Sequence, residues 1–361
     1  MGNDLNQNQN QNQNLVIGLD AGGTRTRVVL AGAADGRLLA EATAGPGNAL
    51  TVPPRQLTDC LAEALVGVVP EGARDRVVAV AGGFAGATAA DADDPGTVRA
   101  RGALAEALRR LGVPEGPVGI WSDIEAAFAA APGAPADGLA LVAGTGAVAM
   151  RIAGRQATTT VDGDGWLLGD EGSGFWIGRS AVRAALRMAD GRGRETVLAG
   201  WVGRSLGLPV DVLPSGSVSS YGEAGAPGPP GAVARGTGIT DWSRARREDF
   251  RRHLLPAVMA DPPIRLARFA PLVAEAAVEK DAVALEILDE AADHLLDTVR
   301  ALEPGPGERI VATGGLLGPA GPMTVPLTER LHVLGLSLDW VADGGPGAVA
   351  LARIMYDGRV R

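Results

Sequence analysis

The sequence predicts an α/β protein whose two halves repeat one structural unit. An apolar run, a small-residue turn with glycine and threonine, and a second apolar run occur at residues 15–30 and again at 139–152. Strand-like runs alternate with helix-like stretches, which is the signature of α/β architecture. A length of 361 residues is large for one hydrophobic core and suits two.

Residues 15–30 pass from Leu-Val-Ile-Gly-Leu-Asp20 through Gly22-Gly23-Thr24-Arg25 into Thr-Arg-Val-Val-Leu30. Both arms have strand length and β-branched content, so the segment reads as a hairpin. A helix is expected over 54–69, a strand over 77–80, a turn at Gly82-Gly83 and a helix over 98–111. Val118–Ser122 reads as a strand and 124–131 as a helix, which puts Asp123 at their junction. Residues 131–136, Ala-Pro-Gly-Ala-Pro-Ala, suit a linker. The second hairpin turns at Gly144-Thr145-Gly146. The Gly/Pro/Ser-rich stretch 207–238 lacks hydrophobic periodicity and is expected to be a loop or insertion. Helical patterning returns over 269–302, and Arg309–Thr313 reads as a strand entering the Gly314-Gly315 turn.

Glycines in the two hairpin turns let backbone N–H groups approach a phosphate, and each threonine adds a hydroxyl donor. Neither turn is a Walker A loop, which needs Gly-Lys-Ser/Thr before a helix. Neither is a Rossmann fingerprint, because a strand follows the turn in place of a helix. Together they suggest a polyphosphate gripped from both sides. Between residues 162 and 176 the chain gathers Asp162, Asp164, Asp170 and Glu171 with Trp166, Trp176 and interspersed glycines including Gly165. Carboxylates beside indoles suit a polyhydroxylated, cationic small molecule; a solvated acidic turn before an amphipathic helix is the competing reading. Asp123 suits either a helix cap or a general base.

Composition narrows the function class. A net charge of −9 disfavours nucleic acid and anionic membrane as partners. The single Cys60 precludes an internal disulfide and fits a reducing compartment. No run is long and apolar enough for a membrane span. The Asn/Gln tail, residues 1–14, lacks the basic and apolar regions of a signal peptide and is expected to be disordered, so a cytoplasmic location is expected.

Asp20 to Thr26, Asn48, Trp121-Ser-Asp123, Gly144-Thr145-Gly146, Gly165-Trp166 to Ser173 and Ala312-Thr313-Gly314-Gly315 occur in one order along the chain. In that order they resemble the N-acetylglucosamine kinase branch of the BadF-type ATPase superfamily, which also holds activator ATPases of 2-hydroxyacyl-CoA dehydratases. The Asp162–Asp170 segment is most similar to actinobacterial glucosamine kinases. The resemblance implies two ribonuclease H-like, actin-like ATPase domains flanking a nucleotide and sugar cleft: residues 15–132 plus 346–361, and residues 133–345. It implies a helix over 346–356 that returns to the first domain. It also implies ATP and Mg²⁺, with Asp20 on the metal. Gly22, Gly23, Thr24, Arg25, Gly144, Thr145 and Gly146 would lie on the phosphates, and Gly314 and Gly315 on the adenosine. Asp123 would be the base, and Asn48, Asp123, Asp164, Gly165, Trp166, Asp170 and Glu171 would hold the sugar. A homodimer is the family-level expectation.

The expected activity is therefore transfer of the γ-phosphoryl group to D-glucosamine, giving glucosamine 6-phosphate. An amide on carbon 2 needs an apolar pocket for its methyl, whereas an ammonium wants carboxylates, and the extra Asp162 and Asp164 favour the free amine. N-acetylglucosamine is the alternative acceptor. An activator ATPase would need cysteines for an iron–sulfur cluster, and one cysteine cannot supply them. A sugar- or nucleotide-binding regulator without turnover is the reading from another class. It would carry a DNA-binding helix pair, for which this acidic chain shows no candidate. A zinc-bearing sugar kinase is excluded because His253, His294 and His332 stand apart from Cys60 in sequence.

Overall fold

Glycine-turned hairpins at the head of each half seed two sheets of identical topology. The structure, a computed structural model, describes residues 13–214 and 242–358. Most of the Asn/Gln tail and of the 207–238 stretch lies outside the described residues. The first half contains β1 (Leu15–Ala21), β2 (Thr26–Gly32), β3 (Leu38–Ala44), α1 (Pro54–Val68), β4 (Val77–Phe84), α2 (Pro95–Leu111), β5 (Val118–Ser122) and α3 (Asp123–Ala129). The second contains β6 (Gly138–Ala143), β7 (Ala147–Ala153), β8 (Gln156–Asp162), α4 (Gly174–Ala189), α5 (Leu198–Ser205), α6 (Arg244–Met259), α7 (Ala270–Val278), α8 (Ala282–Arg300), β9 (Arg309–Thr313), α9 (Thr324–Val333), β10 (Ser337–Trp340) and α10 (Gly345–Tyr356).

Among the described residues, one sheet has the order β3-β2-β1-β4-β5 and the other β8-β7-β6-β9-β10. In each, the first three strands are antiparallel and the last two join parallel to the first. The central strands β1 and β6 are apolar along nearly their whole length because helices cover both faces.

Local chemistry explains the element ends. In α1, Pro54 begins the helix and Leu57, Leu61, Ala64, Leu65 and Val68 form one buried stripe. In α2, Asp94 caps the Thr97 N–H at 2.8 Å, and Gly112 terminates the helix with φ +75°. This cap and Pro95 start the helix three residues before the position expected from periodicity. The helical region 269–302 is divided in two: Lys280 adopts φ +64°, and Asp281 restarts the chain as the N-cap of α8.

Two expectations change. Gly82 and Gly83 are strand residues within β4, not a turn. A Cβ on Gly83 would lie 2.4 Å from the Ala126 Cβ, and one on Gly82 would lie 2.3 Å from the Phe84 ring. Glycine is there because α3 and an aromatic ring press on the sheet. Within the 207–238 stretch, Val210–Val212 forms a short 3-10 turn, with Val212 and Leu213 buried in the second core. The Trp242 indole N–H donates to the Val212 carbonyl at 2.9 Å, anchoring that turn.

Two helices bridge the halves. α10 lies on β1, β4 and α3, where Val16, Val29, Ala81, Trp121, Ala126, Ala348, Val349 and Leu351 form one buried cluster. The opposite face of α3 gives Ala127 and Phe128 to a second cluster with Ala140, Ile152 and Val311 of the other sheet. Among the described residues, no helix is long and apolar enough to cross a membrane.

Candidate active site

A cleft of about 670 Å³ opens where the β1–β2 turn, the β5–α3 junction, the β6–β7 turn and the start of α10 converge. Asp20, Gly22, Thr24, Arg25, Asn48, Asp123, Gly144, Thr145, Gly146 and Asp170 all line it. These residues are far apart in sequence, and the duplicated topology gathers them at the same ends of both sheets.

The two turns present free donors. In the first, Gly22 donates to the Arg25 carbonyl at 2.9 Å, leaving the Gly23 and Thr24 N–H groups without a protein acceptor among the described residues. In the second, Gly144 donates to the Gly146 carbonyl at 2.9 Å. The first turn of α4 holds this loop from outside, through Gly174 N–H to the Gly144 carbonyl (2.8 Å) and Phe175 N–H to the Thr145 carbonyl (3.0 Å). Asp170 accepts from Ala147 N–H at 3.0 Å. The Thr145 and Gly146 N–H groups have no protein acceptor among the described residues, so both turns offer paired backbone donors of the kind that bind phosphate. Gly146 has no room for a side chain, because its Cβ would sit 2.6 Å from the Asp170 carboxylate.

Asp123 stands on the cleft floor, and a neighbouring residue does the capping. Ser122 is the N-cap of α3: its Oγ accepts from Glu125 N–H at 3.0 Å, and Glu125 returns the bond to Ser122 N–H at 2.7 Å. Among the described residues, the Asp123 carboxylate is therefore left with backbone donors of its own turn, the Ile124 N–H at 3.0 Å and its own N–H. Burial, together with the nearby Asp20 charge, pushes its pKa up to about 6. Asp20 is also raised, chiefly by burial; Gly344 N–H opposes this by donating to its Oδ2 at 3.1 Å. Arg27 binds Asp343 at 2.6 Å and Glu41 at 3.3 Å, so cations and carboxylates alternate along this wall.

Glu125, Arg27 and Asp343 are contributors that sequence reasoning missed. Glu125 is 2% exposed and takes the Ala89 N–H (3.0 Å) and the Ala157 N–H (2.7 Å) in addition to Ser122. Ala157 belongs to β8, so one carboxylate fixes the helix that bears Asp123 to both sheets. Ser122-x-x-Glu125 is a readable capping box, but nothing in the sequence signals the bond to β8.

Beside the cleft lies an apolar cavity of about 550 Å³ that shares Gly144 and Thr145 with it and is closed by Ala267, Ala270, Pro271, Ala274, Gly315 and Leu316. Gly315 has open space above it, while Gly314, at φ +104°, would drive a Cβ to 2.3 Å from the Ala143 carbonyl. Gly315 thus lines the apolar cavity, and Gly314 packs in the wall beside it.

The acidic segment is more divided than its composition suggests. Asp162 is spent on the backbone, accepting from Gly163 (2.7 Å), Asp170 (2.6 Å) and Glu171 (2.9 Å). It closes the loop and is not a free carboxylate facing a cation. Asp164 is exposed, and neither it, Gly165, Trp166 nor Glu171 lines the cleft. Glu171 lies 3.4 Å from His294 Nδ1, and Trp166 packs edge-on against Phe175. Asp170 does reach the cleft, and burial raises its pKa. Asn48 spends its Oδ1 on the Leu50 and Thr51 N–H groups, at 2.9 and 3.0 Å; its Nδ2 has no partner among the described residues. Asp162→Ala is expected to leave three N–H groups unpaired and to speed chymotryptic cleavage within the exposed Trp166-Leu167-Leu168. An unchanged cleavage rate would mean that this clamp does not hold the loop.

Among the described residues there is no group of three or more His, Cys, Asp or Glu placed to hold a metal ion. A magnesium ion carried on nucleotide phosphates needs only one or two protein carboxylates. Asp20 fits that need, since its Oδ1 has no partner among the described residues.

The model of the BadF/BadG/BcrA/BcrD ATPase family matches residues 17–324 of the chain. An N-acetylmuramic acid/N-acetylglucosamine kinase of Clostridium acetobutylicum is 29% identical over 187 residues, which are 51% of this chain and 58% of that protein. The match therefore spans little more than half of that curated relative. A candidate N-acetylglucosamine kinase from Chromobacterium violaceum has a similar structure, with TM-score 0.63 and 20% identity over 94% of this chain and 99% of that one. A candidate N-acetylglucosamine kinase from Porphyromonas gingivalis gives TM-score 0.62 and 19% identity over 96% and 100%. At these identities the two structures establish the fold, which is the duplicated actin-like arrangement expected from the sequence.

Proposed function

The chain belongs to the BadF/BadG/BcrA/BcrD ATPase family, and on that premise we propose that it is an ATP-dependent kinase that phosphorylates an amino sugar, at the 6-hydroxyl. The observation that carries this reading is the placement of Asp123. A carboxylate with a pKa near 6, left free of capping duty, faces two turns whose N–H groups lack protein acceptors among the described residues.

ATP would lay its adenine and ribose in the apolar cavity and its phosphates across Gly144 and Thr145, the residues the two spaces share. Thr24, Thr145 and the four free N–H groups would hold phosphate oxygens, with Arg25 adding charge. Asp20 would hold Mg²⁺, which when bound neutralises phosphate charge. Asn48 Nδ2 and Asp170 would orient sugar hydroxyls. Asp123 would accept the proton of the 6-hydroxyl as its oxygen bonds to the γ-phosphorus and the bond to the β–γ bridging oxygen breaks, releasing ADP. Positioning and charge neutralisation dominate such transfers.

Charge counting alone favours free glucosamine. With Asp162 committed to the backbone and Asp164 off the cleft, neither acid is placed to hold an ammonium there. The relative named above also acts on acetylated amino sugars. N-acetylglucosamine is therefore the first acceptor to test, with glucosamine second.

ADP release with Mg-ATP across N-acetylglucosamine, glucosamine, glucose and no sugar tests the reading. Stimulation by one or both amino sugars, exceeding that by glucose at least tenfold, is the expected result. A rate that ignores sugar altogether would leave an ATPase and remove the kinase. A response to glucosamine alone would point to Asp170, the carboxylate of this segment that reaches the cleft, as the partner of the ammonium.

A further inference from the structure

α4 carries an unusual concentration of cations for an acidic protein. Arg179, Arg183 and Arg187 recur at four-residue spacing, so they form one stripe along the helix. With Arg192 and Arg194 they line a cavity of about 590 Å³ whose opposite wall is α8, presenting Glu286 and Glu290. Arg192 is paired with Asp190 at 2.6 Å, and Arg194 is paired with Glu286. Arg179, Arg183 and Arg187 make no ion pair with any described residue. The Arg179 Nε is buried without a hydrogen-bond partner, and its guanidinium lies 5.7 Å from the Phe175 ring centroid.

Three guanidiniums along one wall repel each other, and among the described residues no carboxylate pairs with any of them. A planar fork of N–H donors matches a phosphate, which is the commonest way such a wall is neutralised. The size is that of a small-molecule site. Glu286 and Glu290 opposite would repel a bare polyanion, but they suit the hydroxyls of a ligand whose phosphate faces α4. We propose that this cavity is a second ligand site that binds a phosphomonoester of a small polyol, with the phosphate on Arg179, Arg183 and Arg187 and the hydroxyls toward Glu286 and Glu290. The site is separate from the cleft and does not depend on the kinase reading. Trp176 lines it from the first turn of α4, the same turn that fastens Gly144 and Thr145.

Isothermal titration of the full chain with glucose 6-phosphate, inorganic phosphate and glucose tests this site. Glucose 6-phosphate is expected to bind, more tightly than inorganic phosphate, and to weaken as salt rises. Arg183→Ala/Arg187→Ala should weaken it about tenfold or more, whereas Thr145→Ala in the cleft should not. Both arginines are exposed, so melting should show the double variant still folded. Restoring charge without the fork, with Arg183→Lys/Arg187→Lys, should recover only part of the affinity. Absence of binding, binding untouched by the arginine substitutions, or loss on Thr145→Ala would each overturn the proposal. Equal affinity for inorganic phosphate would overturn the role given to the glutamates.

Discussion

Asp123→Asn is expected to lower sugar-dependent phosphoryl transfer by ~10²–10⁴-fold or more while raising the melting temperature at pH 8. The two effects share one cause. The Asp123 carboxyl titrates near 6 in the folded protein, against an ordinary 3.8, because burial and the Asp20 charge disfavour its ionised form. Between those values the folded chain holds a proton that the unfolded chain has released. Stability therefore falls as pH rises through that window, and the full cost is present above about 6. Asparagine keeps the shape and removes the charge. A shift of this size corresponds to ~3 kcal/mol at most. Because the group is partly open to the cleft, about 1–2 kcal/mol is the reasonable gain, or a few degrees of melting temperature. The gain should vanish near pH 4.

The same titration sets the pH profile of the wild-type protein. In its proposed role as base, Asp123 must be ionised, so kcat/KM should fall as pH drops below about 6, approaching tenfold per unit. The residual activity of the variant should lack that limb. Near-normal turnover by Asp123→Asn would remove the base. A lower melting temperature at pH 8 would mean that the carboxylate stabilises the fold.

How much of this was legible beforehand depended on whether the signal was local. The hairpins were readable because glycine and threonine interrupt apolar runs in only a few ways. Asp123 was readable as a strand–helix junction, but its freedom from capping needed the Ser122–Glu125 geometry. Gly82-Gly83 misled because adjacent glycines most often mark turns; here they answer pressure from α3 and Phe84, residues that touch them only after folding. Asp162 misled for a related reason. Composition counts its charge, while folding turns the carboxylate onto three N–H groups of its own loop. Of the apolar cavity only the Gly314-Gly315 turn was legible, since Ala267, Ala270, Pro271 and Ala274 are ordinary residues that become a wall only beside Gly315.

Gly347→Ala should be among the most damaging single-methyl additions, and Gly102→Ala its opposite. Both glycines lie inside helices, where alanine is favoured by roughly 0.5–1 kcal/mol. Gly102, exposed on α2, has nothing within 4 Å of the new Cβ, so that preference should appear almost whole as added stability. At Gly347 the Cβ would fall 1.8 Å from the Ala126 carbonyl oxygen and 2.6 Å from the Ala130 N. These are backbone atoms of α3, so no side chain can swing aside, and the two bridging helices must separate. Overpacking of this kind costs ~1–3 kcal/mol or more. The damage should also reach the chemistry, because α3 carries Asp123 and the start of α10 supplies the Gly344 N–H that holds Asp20. Denaturant melts should therefore move in opposite directions for the two variants, with sugar-dependent ADP release reduced only for Gly347→Ala. Equal melts would show that α10 can slide on α3 without cost. A destabilised Gly347→Ala with unaltered turnover would show that the Asp20–Asp123 spacing does not depend on how those helices pack.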